Sequence, residues 1–242
     1  MTVAWKEWRE LLNRRGSTKV TILSVGVILG VFGVLQPAER WEDWFTGFSA
    51  VLFLALVPVI LIISTIADSF AGERERHTLE TLLATRLYDD AILGGKLIAA
   101  LGWGWGVSLL AALLGAVTVN VARVQHGLGP AFYDASVLGP SIGLALLAGG
   151  LMAGFGILVS LRASSVRVAQ QIMALSIAGI VALVGVGVGA LPESTRAQLL
   201  RWLVTHSLWT IVLLAGGFLL ALDVVLLVAA RSRFRRAKLV LD

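Results

Sequence analysis

Residues 67–101 hold the side chains of this chain that are most able to do chemistry. The ionisable residues of this charged segment begin with Glu73, Arg74, Glu75, Arg76, His77 and Glu80. An apolar run precedes them, and the apolar pattern resumes only near Ile92. One Asp or Arg at the centre of a bilayer costs about 2.5–3.5 kcal/mol. The charged segment therefore lies outside hydrocarbon, and it is too long for a tight turn and too regular for a slack linker.

The rest of the chain gives little support for bond-breaking chemistry. His77, His126 and His206 are scattered, and neither a Ser-His-Asp pattern nor a metal-protease spacing is present. The chain has no cysteine, which excludes a thiolate nucleophile and a disulfide framework. The sequence predicts no catalytic, cofactor-binding or metal site.

The Gly-Gly-Lys-Leu sequence at 94–97 resembles only a fragment of a phosphate-binding loop. The complete motif needs a glycine at position 90 and a hydroxyl residue after the lysine, and this chain has Asp90 and Leu97 there. We therefore expect Lys96 to anchor a membrane span at the interface rather than to hold a nucleotide.

Composition places the chain in a membrane. Hydrophobic residues make up 57% of it and charged residues 14%, with a mean hydropathy of +0.87, whereas soluble domains have about 25% charged residues. A helix crosses a bilayer with about 20 apolar residues. The predicted spans are 18–36, 47–68, 92–119, 138–161, 168–191 and 207–230. We predict an all-α integral membrane protein with a single transmembrane domain over residues 1–242.

The distribution of basic residues predicts the orientation of these spans. Sixteen Lys and Arg residues lie in the termini, the 69–96 loop and the 162–167 loop, and four lie in the other loops. Cytoplasmic loops are enriched in Lys and Arg, so both termini and the charged segment are expected in the cytoplasm. The first span is interpreted as uncleaved, because its apolar run is long and no clear cleavage site follows; a cleaved signal peptide is the alternative.

Aromatic and amphipathic segments are predicted at the membrane interfaces. Residues 1–17 are expected to form an interfacial helix, with a plain cytosolic extension as the alternative. Its apolar positions are Trp5, Trp8, Leu11 and Leu12. Residues 193–204 form a second amphipathic piece, which lies on the outer surface or dips into the bilayer. An outer aromatic belt is expected from Trp41, Trp44, Phe45, Phe132 and Tyr133.

A leucine stripe runs through the charged segment. Its positions are Leu79, Leu82, Leu83 and Leu87. This is helical spacing, and acid–base pairs four residues apart favour the same helix, which we predict near 76–87. So short a helix is marginal alone in water, so lipid headgroups, the rest of the protein or a partner must cover the leucines. A solvated loop lying on the bilayer is the alternative.

The charged segment resembles the permeases of ABC-2 type exporters. The residues that carry the resemblance are Asp68, Phe70, Ala71, Gly72, Glu73, Arg74, Glu75, Arg76, Thr78, Leu79, Glu80, Leu82, Leu83, Ala84, Thr85, Gly95, Lys96 and Leu97. The chain departs from the family pattern at His77, where a glycine is usual, and at 86–88, where a proline and a small polar residue are usual. We expect His77 to lengthen the helix, because glycine is the poorer helix former.

The resemblance implies the membrane subunit of an ATP-binding-cassette exporter in the plasma membrane, expected to be a bacterial or archaeal inner membrane. It implies two permease copies, as a homodimer or heterodimer, docked on two cytoplasmic ATPase subunits that bind ATP and Mg²⁺. The chain itself is then not an enzyme, holds no cofactor, and has lipid rather than nucleic acid as its surroundings. The residues implied to couple to the ATPase are Gly72, Glu73, Arg74, Glu75, Arg76, Thr78, Leu79, Glu80, Leu82 and Leu83.

Three residues are candidates for the transport pathway. Asp223 is the acid that lies well inside a predicted span, and such acids are functional candidates, although a structural acid bonded to a neighbouring helix is the alternative. Trp103 and Trp105 lie among glycines and are candidates to line a hydrophobic route or to face lipid. Two other functions stay open: a membrane scaffold that does not transport, and a transporter driven by an ion gradient.

Overall fold

The computed structural model describes residues 2–13, 18–77 and 88–234, and every regular element in these ranges is a helix. The elements are α1 (Thr2–Asn13), α2 (Thr18–Gly30), a π-helical turn (Val31–Leu35), α3 (Gln36–Glu39), α4 (Phe48–Glu75), α5 (Asp89–Gln125), α6 (Ala135–Ser160), α7 (Val166–Gly189), α8 (Glu193–Thr205) and α9 (Leu208–Arg233). The predicted all-α class is confirmed.

Six stretches in the described ranges are long and apolar enough to cross a bilayer, as predicted. They are Ile22–Glu39, Phe48–Glu75, Asp89–Gln125, Ala135–Ser160, Val166–Gly189 and Trp209–Arg233. Their ends differ from the predicted bounds by a few residues, and two of the helices run six or seven residues further than predicted. The α4 helix continues seven residues beyond position 68, and the 37 residues of α5 extend about 55 Å. Hydropathy marks where an apolar run ends, but these helices continue because their polar ends find partners in the fold.

The α4 helix is the centre of the bundle. It packs against α5, α6 and α7, while α9 packs against α6, and α1 packs against α5. The core between α4, α5 and α6 includes Ile62, Ile66, Ile92, Met152 and Ile157. In contrast, α7 buries only Ala169 and Met173, both near its N-terminus. Most of the surface of α7 is therefore left for lipid or for another chain.

A proline explains the irregular first span. Pro37 has no N–H, so the carbonyl of Gly33, its partner in a regular α-helix, is released, and the turn before it widens to a π-helix in which Gln36 N–H bonds to Val31 O. The Thr118 hydroxyl of α5 donates to Gly33 O at 2.9 Å. The irregularity is thus satisfied by a neighbouring helix, as membrane proteins require.

A second proline uses the same arrangement in α4. Pro58 releases the carbonyl of Leu54, and the buried Ser108 hydroxyl, again from α5, donates to Leu54 O at 2.9 Å. Two hydroxyls of α5 therefore bond to the carbonyls released in two proline-containing helices.

The two ends of the bundle differ in chemistry. The α1 end holds α1, the end of α4, the start of α5, the α6–α7 loop and the end of α9. At the opposite end the loop before α4 packs on the loop before α6: Trp44 Nε1 donates to the Tyr133 hydroxyl at 3.1 Å, and that hydroxyl donates to Ala112 O at 2.9 Å. Burial raises the pKa of Tyr133 above its usual value, which keeps the hydroxyl protonated and able to donate.

The predicted aromatic belt at this opposite end is wrong in part. Trp44 is completely buried, and Phe45 and Tyr133 are nearly so, while Phe132 is exposed. Trp41 stacks on His126, with ring centroids 4.5 Å apart. Trp44, Phe45 and Tyr133 belong to one buried cluster, in which the indole of Trp44 and the phenol of Tyr133 find hydrogen-bond partners inside the fold.

Candidate functional site

The structure divides the predicted ATPase-coupling residues into two groups. Gly72, Glu73, Arg74 and Glu75 form the last turn of α4, and Arg76 ends it. Thr78, Leu79, Glu80, Leu82 and Leu83 lie outside the described residues, as does the predicted helix near 76–87 apart from Arg76 and His77. The coupling role of all ten residues stays a prediction.

Glu73 faces into the protein rather than towards solvent. It is 6% exposed, and its Oε1 lies 3.0 Å from Nζ of Lys96, which is 1% exposed. The same Nζ lies 2.7 Å from Oε1 of Glu7 in α1 and donates to Ser69 O at 2.8 Å. We call Glu7, Glu73 and Lys96 the lysine cluster. It joins α1, α4 and α5 at one buried point.

The charges of the lysine cluster are nearly balanced. Lys6 Nζ lies 3.7 Å from Glu73 Oε1 at the edge of the cluster, and its side chain is half exposed. Two lysines therefore face two glutamates. Removal of one partner of a buried ion pair strongly destabilises the folded protein, because the other partner is left as an uncompensated charge. The prediction that Lys96 anchors a span at the interface is wrong: its ammonium group is enclosed by protein.

A glycine lets α1 come close enough to form the cluster. A Cβ atom on Gly95 would lie 2.7 Å from Val3 Cβ and 3.2 Å from Ala4 N, whereas one on Gly94 would meet nothing within 4 Å. The neighbouring Trp8 makes an edge contact with Trp103, with centroids 6.1 Å apart. The backbone of α1 therefore lies directly on α5.

The polarity of α1 differs from the predicted pattern. Glu7 is 7% exposed and Trp5 is 69% exposed, so an acid faces the protein and a tryptophan faces outward. An open apolar groove of about 890 Å³ runs along this contact, between Trp5 and Trp8 on one side and Gly94 and Ile98 on the other. A helical pattern in the sequence cannot show which acid of α1 has a buried partner.

The next two residues of the motif connect α4 to the α6–α7 loop. Arg74 donates from Nη2 to Leu161 O at 2.6 Å and from Nη1 to Ala163 O at 3.4 Å. Glu75 Oε2 accepts from Val166 N–H at 3.2 Å, at the first residue of α7. A carboxylate at a helix N-terminus is stabilised by the N–H groups exposed there. The end of α4 is thus fixed to α7 as well as to α1 and α5.

Asp68, Gly72 and Arg76 form the third contact of the motif. Arg76 Nη2 lies 2.8 Å from Asp68 Oδ1, and a Cβ on Gly72 would lie 2.6 Å from the same oxygen. Glycine at position 72 therefore leaves the space that the aspartate occupies. The aspartate, glycine and arginine of this D-x-x-x-G-x-x-x-R pattern therefore form one set of contacts at the end of α4.

His77 ends the helix instead of lengthening it. Its φ is +56°, it is the only non-glycine residue in the described ranges with a positive φ, and its N–H bonds to Arg74 O. Glycine is the usual residue in this left-handed conformation after a helix. The prediction from helix propensity is wrong because the backbone here has left the helix.

The three candidate pathway residues do not form one site. Asp223 is 6% exposed and lies against Gly150 of α6, where a Cβ would be 3.1 Å from its Oδ2. Trp105 Nε1 donates to Ala145 O at 3.2 Å, and Trp103 lies beside α1. Trp105 and Asp223 thus approach α6, while Trp103 belongs to the α1 contact.

The end of α9 also reaches the α1 end. Arg231 contacts Asp90 with both its Nε and its Nη2, at 2.8 Å and 2.6 Å, in an exposed pair. Phe234 packs edge-on against Phe70, with centroids 5.7 Å apart. The sequence did not predict these contacts or the lysine cluster, because the residues of the lysine cluster are separated by up to 89 positions in the chain. The sequence signal that could have pointed to the lysine cluster was Gly95, a residue that allows close helix contact, directly before Lys96.

Comparison with known proteins gives a family and a curated relative. The model of a family described as ABC-2 family transporter protein matches residues 1–215. The ABC transporter permease protein NatB of Bacillus subtilis (strain 168) is 27% identical to this chain over 154 residues, which cover 59% of this chain. The chain spans about 40% of the length of that curated relative.

Proposed function

Since the chain belongs to the ABC-2 transporter family, we propose that it is the permease subunit of an ABC exporter, working as a dimer on two separate ATPase subunits. The family and the permease relative support a membrane subunit of an ABC transporter. The six apolar helices agree with a multi-pass membrane protein. Export, pairing of two permease chains and coupling to an ATPase go beyond what the family and the relative support, and they are the parts that we propose.

The observation that carries the coupling proposal is the continuity of α4. This helix runs without a break from the middle of the bundle, through the charged motif, to Glu75. The leucine-striped residues 78–87 follow almost directly. A short helix with one apolar and one charged face suits docking in a groove of a partner. A movement of that partner would therefore reach the most enclosed span of the bundle through one rigid element.

The chain needs an external source of energy. Its Gly-Lys pair lacks the first glycine and the hydroxyl residue of a phosphate loop, and Lys96 is engaged with Glu7 and Glu73. ATP and Mg²⁺ are accordingly assigned to the partner ATPase, which closes on nucleotide and moves the coupling segment.

The uncovered helices support pairing of two permease chains. Beyond Met173 the side chains of α7 are not buried within one chain, and a transport pathway between two copies would use such a surface. Cysteine cross-linking along α7 tests this: a ladder of cross-linked dimers with helical periodicity is expected, and its absence would contradict pairing through this helix.

The leucine face gives the decisive experiment for coupling. We expect Leu79, Leu82 and Leu83 changed together to Ser to abolish co-purification of the ATPase that the unchanged chain retains, because the docking face loses its apolar surface. The matched control is Tyr88→Ser, which changes an 85% exposed side chain just after the segment. Equal ATPase recovery from both variants would refute docking through the leucines, and no ATPase with the unchanged chain would favour a scaffold or an ion-driven transporter.

A further inference from the structure

Three segments distant in the sequence meet at Lys96. One ammonium group lies within 3.0 Å of a carboxylate from α1 and a carboxylate from α4 and also bonds to Ser69 O, while its own backbone belongs to α5. The apolar wall around it includes the ring of Phe70, whose centroid is 5.4 Å from Nζ. Because Lys96 is 1% exposed, its charge is compensated by these two carboxylates rather than by bulk water.

This burial makes separation of the three helices unfavourable. If the end of α4 moved away from α5, Glu73 or Lys96 would stay enclosed without its partner, and an unpaired charge is far more costly to bury than a paired one. The same holds for Glu7 and a movement of α1. The close contact of Gly95 with Val3 adds a steric match that is lost on sliding.

We propose that α1, the last turns of α4 and the first turns of α5 move as one body during transport, with Glu7, Glu73 and Lys96 as positioning residues for ATPase coupling. This inference rests on the proposed function. It assigns α1 a mechanical role: α1 carries movement of the charged segment into α5 rather than serving only as a membrane anchor. It also gives Glu73 a role inside the permease instead of on the ATPase surface.

The alternative is that α1 hinges away from α5 in each cycle. The two arrangements differ in what a covalent link between α1 and α5 would do. The chain has no cysteine, so an introduced pair is unambiguous. Val3→Cys with Gly95→Cys places two Cβ atoms next to each other, within the reach of a disulfide after a small shift.

The first test uses this disulfide in the complex of the permease with its ATPase, in vesicles. We expect the oxidised complex to hydrolyse ATP within about twofold of the reduced one, because a rigid body tolerates an internal link. The single-cysteine variants are the controls for oxidation. Loss of turnover on oxidation that is restored by reductant would show that α1 and α5 separate, which overturns the proposal.

The second test removes the charges without leaving any of them unpaired. The triple variant Glu7→Gln, Glu73→Gln and Lys96→Met keeps the approximate shape and buries no charge. A fluorophore on Val124→Cys, an exposed position at the far end of α5, reports movement of that helix. With the unchanged cluster, we expect ATP with vanadate to shift the equilibrium between the two positions of α5 about fivefold or more. In the triple variant we expect little shift in this equilibrium, although the ATPase is still bound and active.

The control for the second test is Glu193→Gln, which removes an exposed carboxylate at the first residue of α8, outside the lysine cluster; it should keep the fluorescence response. A normal response in the triple variant refutes the positioning role. Failure of the unchanged permease to retain any ATPase refutes the proposed function instead, and pull-down separates the two results. If the triple variant does not fold, the disulfide test still decides the proposal.

Discussion

At the scale of single residues, charged side chains of the motif are used inside the chain. Glu73 bonds to Lys96, Arg74 to Leu161 O, Glu75 to Val166 N–H and Arg76 to Asp68. A density of charge next to a membrane span predicts a docking surface, and the sequence alone offers no way to see that part of it is internal. Of these four residues Glu73 is buried, whereas Glu75 and Arg76 stay exposed at the surface.

His77 gives a prediction on stability. His77→Gly should raise the free energy of unfolding by about 1 kcal/mol, because a side chain in the left-handed region is strained and glycine is not. Thermal unfolding of the purified protein in detergent measures this. His77→Ala keeps a Cβ at φ +56° and should give no gain; equal stabilisation by both would show that the strain is absent.

Adjacent glycines of α5 provide a matched pair. Gly95→Ala should lower the free energy of unfolding by about 1–3 kcal/mol, because its Cβ meets the backbone of α1 as well as Val3. Gly94→Ala, with nothing within 4 Å, should be neutral or stabilising by up to about 1 kcal/mol through helix propensity. Chemical denaturation of both variants checks the contrast, and equal effects would mean that α1 does not rest on α5.

At the scale of elements, α5 organises the bundle through two hydroxyl groups. Ser108 and Thr118 donate to the carbonyls that Pro58 and Pro37 release in α4 and in the first span. Hydropathy predicted all three helices, because a run of apolar residues is local information. It did not predict the pairing of each proline with a hydroxyl 50 or more positions away, because such a pair depends on which helices become neighbours.

The Ser108 bond can be measured directly. Ser108→Ala should lower the free energy of unfolding by about 1–2 kcal/mol, because Leu54 O is then buried without a donor. Ser176→Ala removes a hydroxyl that bonds only within its own helix, to Ile172 O, and should change stability by less than about 0.5 kcal/mol. Unfolding in mixed detergent micelles compares the two, and matching losses would mean that the bond between α4 and α5 contributes nothing.

At the scale of the whole molecule, the bundle has one end rich in ion pairs and another closed by aromatic packing. The ion-paired end gathers α1 and the ends of α4, α5, α6, α7 and α9, while Trp44 and Tyr133 hold the other end together. The count of basic residues predicts that the ion-paired end faces the cytoplasm. This orientation stays a prediction, and it depends on sums over loops rather than on individual contacts.

Labelling tests the orientation. Ser164→Cys lies in the exposed α6–α7 loop at the α1 end, and Phe132→Cys lies at the opposite end, where the native ring is 58% exposed. A membrane-impermeant maleimide added to intact cells should label position 132 and should reach position 164 only after lysis. Labelling of both positions in intact cells would overturn the predicted topology.

The two prolines also bear on how the protein is made. The carbonyls of Gly33 and Leu54 leave the ribosome well before the hydroxyls of Ser108 and Thr118 that receive them. Until α5 has been synthesised, each early span carries a polar group that hydrocarbon cannot solvate. A nascent chain that stops before Ser108 therefore lacks both hydroxyl donors for these carbonyls.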